Sequence, residues 1–121
     1  MSTKPALPTD WATKPLPKQR TTLALNRSFS ASQMDRIRMG FIPDDMNEKW
    51  FMCWHDTTLH IYRSWSGFCI YVVHFVADGE GSRMVSAEVS RDYAQYQRTD
   101  DDYDAWLISD LIDGHLLENE T

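Results

Sequence analysis

Short strand-like segments in the middle of the chain, most of them with period-two alternation of side chains, predict four consecutive β-strands. The strand segments are residues 49–55, 59–65, 68–77 and 83–91, and short polar turns separate them. Period-two alternation is the signal of a strand with one face in the core. The third segment is apolar almost throughout, which is typical of a central strand. Because the connections are short, we expect neighbouring strands to be antiparallel.

Helical signals flank this meander on both sides. The first helix begins at Ser30, which forms a capping box with Gln33, and it ends at Gly40. The second begins at the run Asp100-Asp101-Asp102, where carboxylates are favoured by the helix dipole. Its apolar face comprises Leu107, Ile108, Leu111, Ile112 and His115. The pattern therefore predicts an α+β fold: a four-stranded antiparallel meander with an N-terminal and a C-terminal helix, packed on one sheet face.

The first twenty residues differ in composition from the rest and hold four of the five prolines. Proline favours extended chain with little regular structure. We therefore predict a Pro-rich flexible arm over residues 1–20, anchored by Trp11 and Leu16. A single α+β domain is expected over residues 21–121, a length that fits one domain. Residues 21–29 are a candidate for a short additional edge strand.

Charge is distributed unevenly along the chain. Residues 1–29 carry five cations and one carboxylate, a net of +4, so the remainder carries −10 of the total of −6. Such an acidic body disfavours direct contact with nucleic acids and membrane surfaces and suits a partner protein with a basic surface. No apolar run approaches the ~18 residues of a membrane span, and the N-terminus lacks the apolar core of a signal peptide. We expect a cytoplasmic protein and leave its oligomeric state open.

The two cysteines and four histidines match no metal-binding motif. Paired CxxC, HxxxH and HExxH spacings do not occur, so we expect neither a metal nor another cofactor. Cys53 and Cys69 lie in apolar runs and are expected to be reduced core thiols, with a cross-strand disulfide as the alternative. Cys69 also follows a Gly67 turn closely, which leaves a nucleophilic role open.

The densest chemical feature is the run from Tyr62 to Phe68 at the end of the second predicted strand. Arg63 offers planar donors that match phosphate or carboxylate, and Trp65 offers a flat face for a base or sugar ring. In an antiparallel hairpin, Lys49 pairs near Trp65. The predicted ligand- or partner-binding site therefore comprises Lys49, Trp50, Arg63, Ser64, Trp65, Ser66 and Gly67. No residue is predicted to be catalytic.

A purely structural interpretation of this run stays open. In it the run is a tight hairpin turn whose Trp65 packs in the core. Because an unpaired buried charge is unfavourable, Arg63 then needs a carboxylate, and Glu88 is the candidate partner.

The same run resembles a motif shared by a family of small bacterial and phage proteins. That motif has a Trp-Phe pair, then Arg-Ser-Trp-Ser/Thr-Gly-x-Cys-Ile-Tyr, then Ala-Glu-Val followed by Arg-Asp. The matching residues here are Trp50-Phe51, Arg63 to Tyr71, Ala87-Glu88-Val89 and Arg91-Asp92. The resemblance spans about residues 30–114 and implies a bacterial or phage origin. It brings no activity with it, so no functional residue is transferred.

Three functions from different classes remain open at this point. The first is a small acidic binding or inhibitor protein that acts through protein–protein contact, as an anti-defence or immunity protein in bacterial or phage conflict. The second is a nucleotide- or anion-binding module that uses Arg63 and Trp65. The third, and less expected, is a small hydrolase or transferase that uses Arg63 with Glu88 or Asp92. A concave pocket lined by Arg63 and Trp65 favours a small ligand, whereas a flat face favours a protein partner.

Overall fold

A computed structural model describes residues 5–44, 47–97 and 100–117 of the chain. Its strands are Arg20–Phe29 (β1), Trp50–His55 (β2), Thr58–Arg63 (β3), Cys69–Asp78 (β4) and Gly81–Ser90 (β5). Its helices are Ala31–Met39 (α1) and Asp101–Leu111 (α2), with a π-helical continuation of α2 over Ile112–Leu117 and a short 3-10 turn at Pro8–Asp10. The strands form one antiparallel sheet in the order β1-β5-β4-β3-β2.

The α+β class and the antiparallel sheet are confirmed, but the sheet has five strands rather than the predicted four. The fifth is β1, which includes the candidate edge segment 21–29 and pairs with β5, placing Thr22 opposite Glu88. Only Leu23 and Phe29 are buried in this strand, so its hydrophobic signal is weak. Since β1 and β2 lie at opposite edges, the connection through α1 crosses the whole face of the sheet.

The local signals at the helix ends are confirmed. Ser30 Oγ accepts a hydrogen bond from Gln33 N at 3.1 Å, and Gln33 Oε1 accepts one from Ser30 N at 2.9 Å. Gly40 ends α1 with a φ of +70°, and a Cβ there would collide with the carbonyl of Met52. Asp100 caps α2 by accepting hydrogen bonds from two backbone N–H groups of the first turn.

Both helices pack on one face of the sheet and enclose the main hydrophobic core. Met34 and Ile37 of α1 and Ile108 of α2 are fully buried there. The sheet contributes Met52, Leu59, Ile61, Ile70, Val73, Ala87 and Val89, among others. Within the described part of the chain, no helix is long and apolar enough to cross a membrane.

The opposite face of the sheet, which we call the outer face, carries a smaller apolar cluster. Its members are Phe51, Cys53, Tyr62, Cys69 and Val72 of the sheet, together with Ala6. Residues 5–19, the N-terminal arm, lie along this cluster, and both predicted anchors contact it. The ring of Trp11 stacks on that of Phe51 at 6.0 Å between centroids. The division into an arm and a domain at residues 20 and 21 stays a prediction.

Both cysteines belong to this outer cluster as free, buried thiols. Burial is the main cause that raises the pKa of Cys53 to about 11 and that of Cys69 to about 12. A nucleophilic cysteine requires a substantial thiolate fraction near neutral pH. The thiols are free, as the sequence predicts. The burial of Cys69 and the raised pKa of its thiol argue against Cys69 as a nucleophile.

A buried carboxylate attaches α2 to the sheet. Asp104 is fully buried, and its Oδ1 accepts hydrogen bonds from Tyr71 Oη at 2.7 Å and Tyr96 Oη at 2.5 Å. Its Oδ2 accepts from Arg91 Nη2 at 2.7 Å, and Arg91 also reaches Asp101 at 2.6 Å. Burial raises the pKa of both phenols, so they remain hydrogen-bond donors. The charge on Asp104 is thus matched by a cation and two hydroxyl groups, as a buried ion requires.

We expect Asp104→Asn to lower the free energy of unfolding by about 3–5 kcal/mol, because removing one partner of a buried ion pair leaves the other uncompensated. Asp110→Asn is the matched control, since Asp110 is an exposed carboxylate on the same helix. The control should stay within about 0.5 kcal/mol of the parent protein in urea unfolding. Equal stability of the two variants would contradict the role given to Asp104.

Candidate functional site

The end of the β2–β3 hairpin forms one wall of a concavity of about 650 Å³, which we call the hairpin-end pocket. Its lining residues are Lys49, Arg63, Trp65, Ser66 and Phe68 on the hairpin side, and Ala94, Gln95, Tyr96 and Gln97 on the opposite side. The second set belongs to the loop between β5 and α2. The volume lies within the range of about 300–1,000 Å³ that is typical of small-molecule sites.

Four of the seven residues predicted for the site line this pocket: Lys49, Arg63, Trp65 and Ser66. The sheet register brings them together, since Trp50 pairs with Arg63 and the Ser64 N–H donates to the Lys49 carbonyl at 2.9 Å. The structure thereby places the ends of both strands at one point, as the antiparallel hairpin model requires.

The other three predicted residues lie next to the lining residues but are not part of the described lining. Trp50 is buried, and the guanidinium carbon of Arg63 lies 4.9 Å above the centroid of its ring. Ser64 is also buried, and its Oγ donates to the Glu48 carbonyl at 2.7 Å. Gly67 forms the turn with a φ of +76°. These residues shape the pocket wall but do not line it.

Arg63 has no anionic partner among the described residues. It takes part in none of their ion pairs, and its Nε is buried without a hydrogen-bond partner. Its guanidinium instead lies over the ring of Trp50, a cation–π contact that does not neutralise the charge.

The predicted pair between Arg63 and Glu88 is wrong. Glu88 accepts hydrogen bonds from Arg20 and His74, each at 2.8 Å, and these lower the pKa of its carboxyl. Glu88 is in register with Val72 of the outer cluster, whereas Arg63 pairs with Trp50 of the main core. Because cross-strand partners share a face, the two side chains project from opposite faces of the sheet. The hydrolase interpretation therefore lacks Glu88 as its carboxylate.

The described lining of the pocket contains two cationic side chains and no carboxylate, although the chain as a whole has a net charge of −6. Trp65 lines the same space, and 69% of its surface is exposed. The structural interpretation in which Trp65 packs in the core is therefore wrong. A cationic wall beside an aromatic face is suited to an anion that carries a flat group.

The loop wall is fixed by two separate interactions. Asp92 begins the loop with a tight turn, in which its Oδ1 accepts from Ala94 N at 3.0 Å and its carbonyl from Gln95 N and Tyr96 N at 2.9 Å. Tyr96 then reaches the buried carboxylate of Asp104. Asp92 therefore has a structural role here, and the loop contributes Gln95 and Gln97 to the pocket lining.

Sequence reasoning missed this loop wall. One signal for it does exist: Asp104 lies four residues before Ile108, on the apolar face of α2. An acid at such a position requires buried donors, and Tyr96 in the preceding polar loop is one of the aromatic hydroxyls within reach.

The N-terminal arm holds the hairpin turn from its other side. Trp11 Nε1 donates to the Ser64 carbonyl at 2.8 Å, and Lys14 Nζ donates to the Ser66 carbonyl at 3.0 Å. The Lys14 N–H also donates to the Gly67 carbonyl at 2.8 Å. A Cβ at Gly67 would collide with the carbonyl of Ala12. The shape of this wall thus depends on a segment that lies more than fifty residues earlier in the chain.

Three histidines lie on the outer face, away from the pocket lining. Burial, followed by the nearby His55 and His74, lowers the pKa of His60, whose Nε2 lies 2.9 Å from Thr58 Oγ1. Among the residues that the structure describes, no group of three His, Cys, Asp or Glu side chains is placed to hold a metal ion.

We expect Gly67→Ala to destabilise the protein more than Gly79→Ala. Both glycines have positive φ, and replacing either strains the backbone by about 1–3 kcal/mol. Only Gly67 lies against another backbone, whereas a Cβ at Gly79 meets open space. The difference between the two variants in urea unfolding therefore measures the contact between arm and turn. Equal losses would show that the arm does not press on the turn.

Comparison with known proteins identifies no relative: no protein-family model, curated protein or solved structure matches this chain. The resemblance to small bacterial and phage proteins therefore stays a prediction, and the pocket must be interpreted from its own geometry.

Proposed function

We propose that this protein binds a small anionic organic molecule in the hairpin-end pocket. The observation that carries the proposal is Arg63, a permanent cation with a buried Nε that has no hydrogen-bond partner and no ion pair within the described ranges. The residue lines a concavity whose described lining includes no carboxylate. Since an arginine cannot lose its charge, an anion from outside the fold is the natural partner.

An anion bound at Arg63 gains planar, paired donors. Hydrogen bonds to charged groups contribute about 1.5–3 kcal/mol each, and a guanidinium can supply two in parallel to one phosphate or carboxylate. Lys49 lines the same wall and adds a second positive charge. The pair favours phosphate, which carries more negative charge than a carboxylate.

The aromatic side chains define the rest of the ligand. Trp65 presents an exposed ring beside the two cations, and Phe68 lies on the same wall. Stacking of a flat ring on an aromatic side chain contributes about 1–3 kcal/mol. A ligand with both a phosphate and a planar ring therefore uses more of the pocket than a bare inorganic anion.

A second candidate is the binding of a partner protein with a basic surface. It is supported by Trp106 of α2, which is 58% exposed and is not among the pocket-lining residues. Asp101 and Asp102 are exposed in the first turn of the same helix. Exposed tryptophans are frequent anchors of protein interfaces. A role in bacterial or phage conflict belongs to this second proposal.

A cytoplasmic location accompanies either proposal. The two free cysteines support it, because thiols persist in reducing compartments.

The ligand proposal is tested by calorimetry with two probes, phenyl phosphate and adenosine 5′-monophosphate. At least one should bind with a Kd below about 1 mM, and Arg63→Gln should weaken that binding at least about tenfold. Arg83→Gln is the control, since Arg83 is a cation on β5 outside the described pocket lining. Binding of neither probe, or binding that Arg63→Gln leaves unchanged, would contradict the proposal.

The same variant separates a binding role from a structural one. Among the described residues, the guanidinium of Arg63 contacts only the ring of Trp50, and the backbone hydrogen bonds of Arg63 do not depend on its side chain. Its replacement by glutamine should therefore change the free energy of unfolding by no more than about 1 kcal/mol. A larger loss of stability without ligand would indicate that Arg63 mainly holds the fold together.

A further inference from the structure

Among the described residues, two buried polar atoms without a hydrogen-bond partner belong to residues that line the hairpin-end pocket. Within the described ranges, four buried side-chain nitrogen or oxygen atoms lack a hydrogen-bond partner, and two of the four belong to pocket-lining residues. One is Arg63 Nε on the hairpin wall, which is a donor. The other is Gln95 Oε1 on the loop wall, which is an acceptor. A buried polar group without a partner is unfavourable by about 1–3 kcal/mol, so both positions favour a further binding group.

The two atoms require different groups on one ligand, a hydrogen-bond acceptor for Arg63 and a donor for Gln95. The Arg63 side requires an anionic acceptor, and the Gln95 side requires an N–H or O–H donor. The terminal torsion of a glutamine is soft, so the Gln95 amide can turn toward a ligand with little strain. Glutamine is also suited to the edge of a base that carries an amino group beside a ring nitrogen, since its amide both accepts and donates.

We propose that the ligand is a nucleotide with an amino-bearing base, its phosphate bound by Lys49 and Arg63 and its base edge bound by Gln95. This inference rests on the proposed function and adds to it the class of ligand. The base lies beside Trp65, whose exposed ring shares the concavity with both walls. Gln97 provides a second amide on the loop wall.

The loop wall is rigid enough to recognise a base edge. The turn at Asp92 fixes the backbone of Gln95. The next residue, Tyr96, is fixed in turn, because its hydroxyl donates a hydrogen bond to the buried Asp104. A recognition group on a preorganised backbone loses less conformational entropy when the ligand binds. Gln95 is therefore placed to discriminate between bases, because its fixed backbone cannot adapt to every ligand.

Three probes that differ by one group each test the proposal. They are adenosine 5′-monophosphate, the purine riboside 5′-monophosphate that lacks only the amino group, and ribose 5-phosphate, which lacks the base. Calorimetry on the full chain should show adenosine 5′-monophosphate binding at least about tenfold more tightly than either of the other two.

Gln95→Ala should reduce the affinity for adenosine 5′-monophosphate by about tenfold and leave that for ribose 5-phosphate unchanged. Gln19→Ala is the control, because Gln19 is an exposed glutamine of the arm outside the described pocket lining. If Gln95→Ala does not fold, the comparison of the three probes on the unmodified protein still decides the matter.

The outcomes also separate this inference from the proposed function. Equal affinity for all three probes, with dependence on Arg63 retained, would overturn the nucleotide and preserve the anion site. Tight nucleotide binding that ignores the amino group and Gln95 would overturn the role of Gln95. Absence of binding by any probe, or binding indifferent to Arg63→Gln, would overturn both.

Discussion

The buried carboxylate of Asp104 connects the parts of the molecule that the pocket needs. It binds Tyr71 of the central strand β4, Tyr96 of the loop wall and Arg91 at the end of β5. Tyr71 in turn stacks against Trp50, the residue beneath Arg63. Both walls of the pocket are thus tied to one ion inside the core. A charge in that position stabilises the fold only while all its donors are present, which explains why helix, sheet and loop are held in one arrangement.

The contrast between Arg63 and two paired arginines supports the functional interpretation. Arg91 forms ion pairs with two carboxylates, both within 2.7 Å, and Arg20 forms one with Glu88. Arg63, by contrast, has no ion pair among the described residues. The chain contains 18 acidic residues against 12 lysines and arginines, so carboxylates are not scarce. The fold has nevertheless left the Arg63 cation beside a concavity and an exposed tryptophan. An anionic ligand accounts for that arrangement better than a requirement of stability does.

The sequence predicts those features whose signals are local. The capping box at Ser30 and the alternation of the β2 side chains between two faces each depend on a few neighbouring residues. Both are confirmed, since Trp50 and Met52 lie in the main core and Phe51 and Cys53 in the outer cluster. The hairpin wall follows from the same alternation, because register alone places Lys49 near Arg63. The fifth strand carries a weaker signal, since β1 is formed by pairing with β5 about sixty residues later. The loop wall is not predictable in this way, because Tyr96 is held by tertiary contact with a buried acid. The predicted Arg63–Glu88 ion pair is wrong because the two strand positions occupy opposite faces of the sheet.

NMR of the tryptophan indole N–H groups tests whether Arg63 and Trp65 form an anion-binding wall. The matched controls are Trp54 at the opposite end of β2 and Trp106 on α2, since neither is among the described pocket-lining residues. On titration with adenosine 5′-monophosphate, we expect the Trp65 signal to shift most and to saturate. The Trp54 and Trp106 signals should remain in place. Saturable shifts centred on Trp54 or Trp106, or no saturable shift at Trp65, would contradict the anion-binding wall.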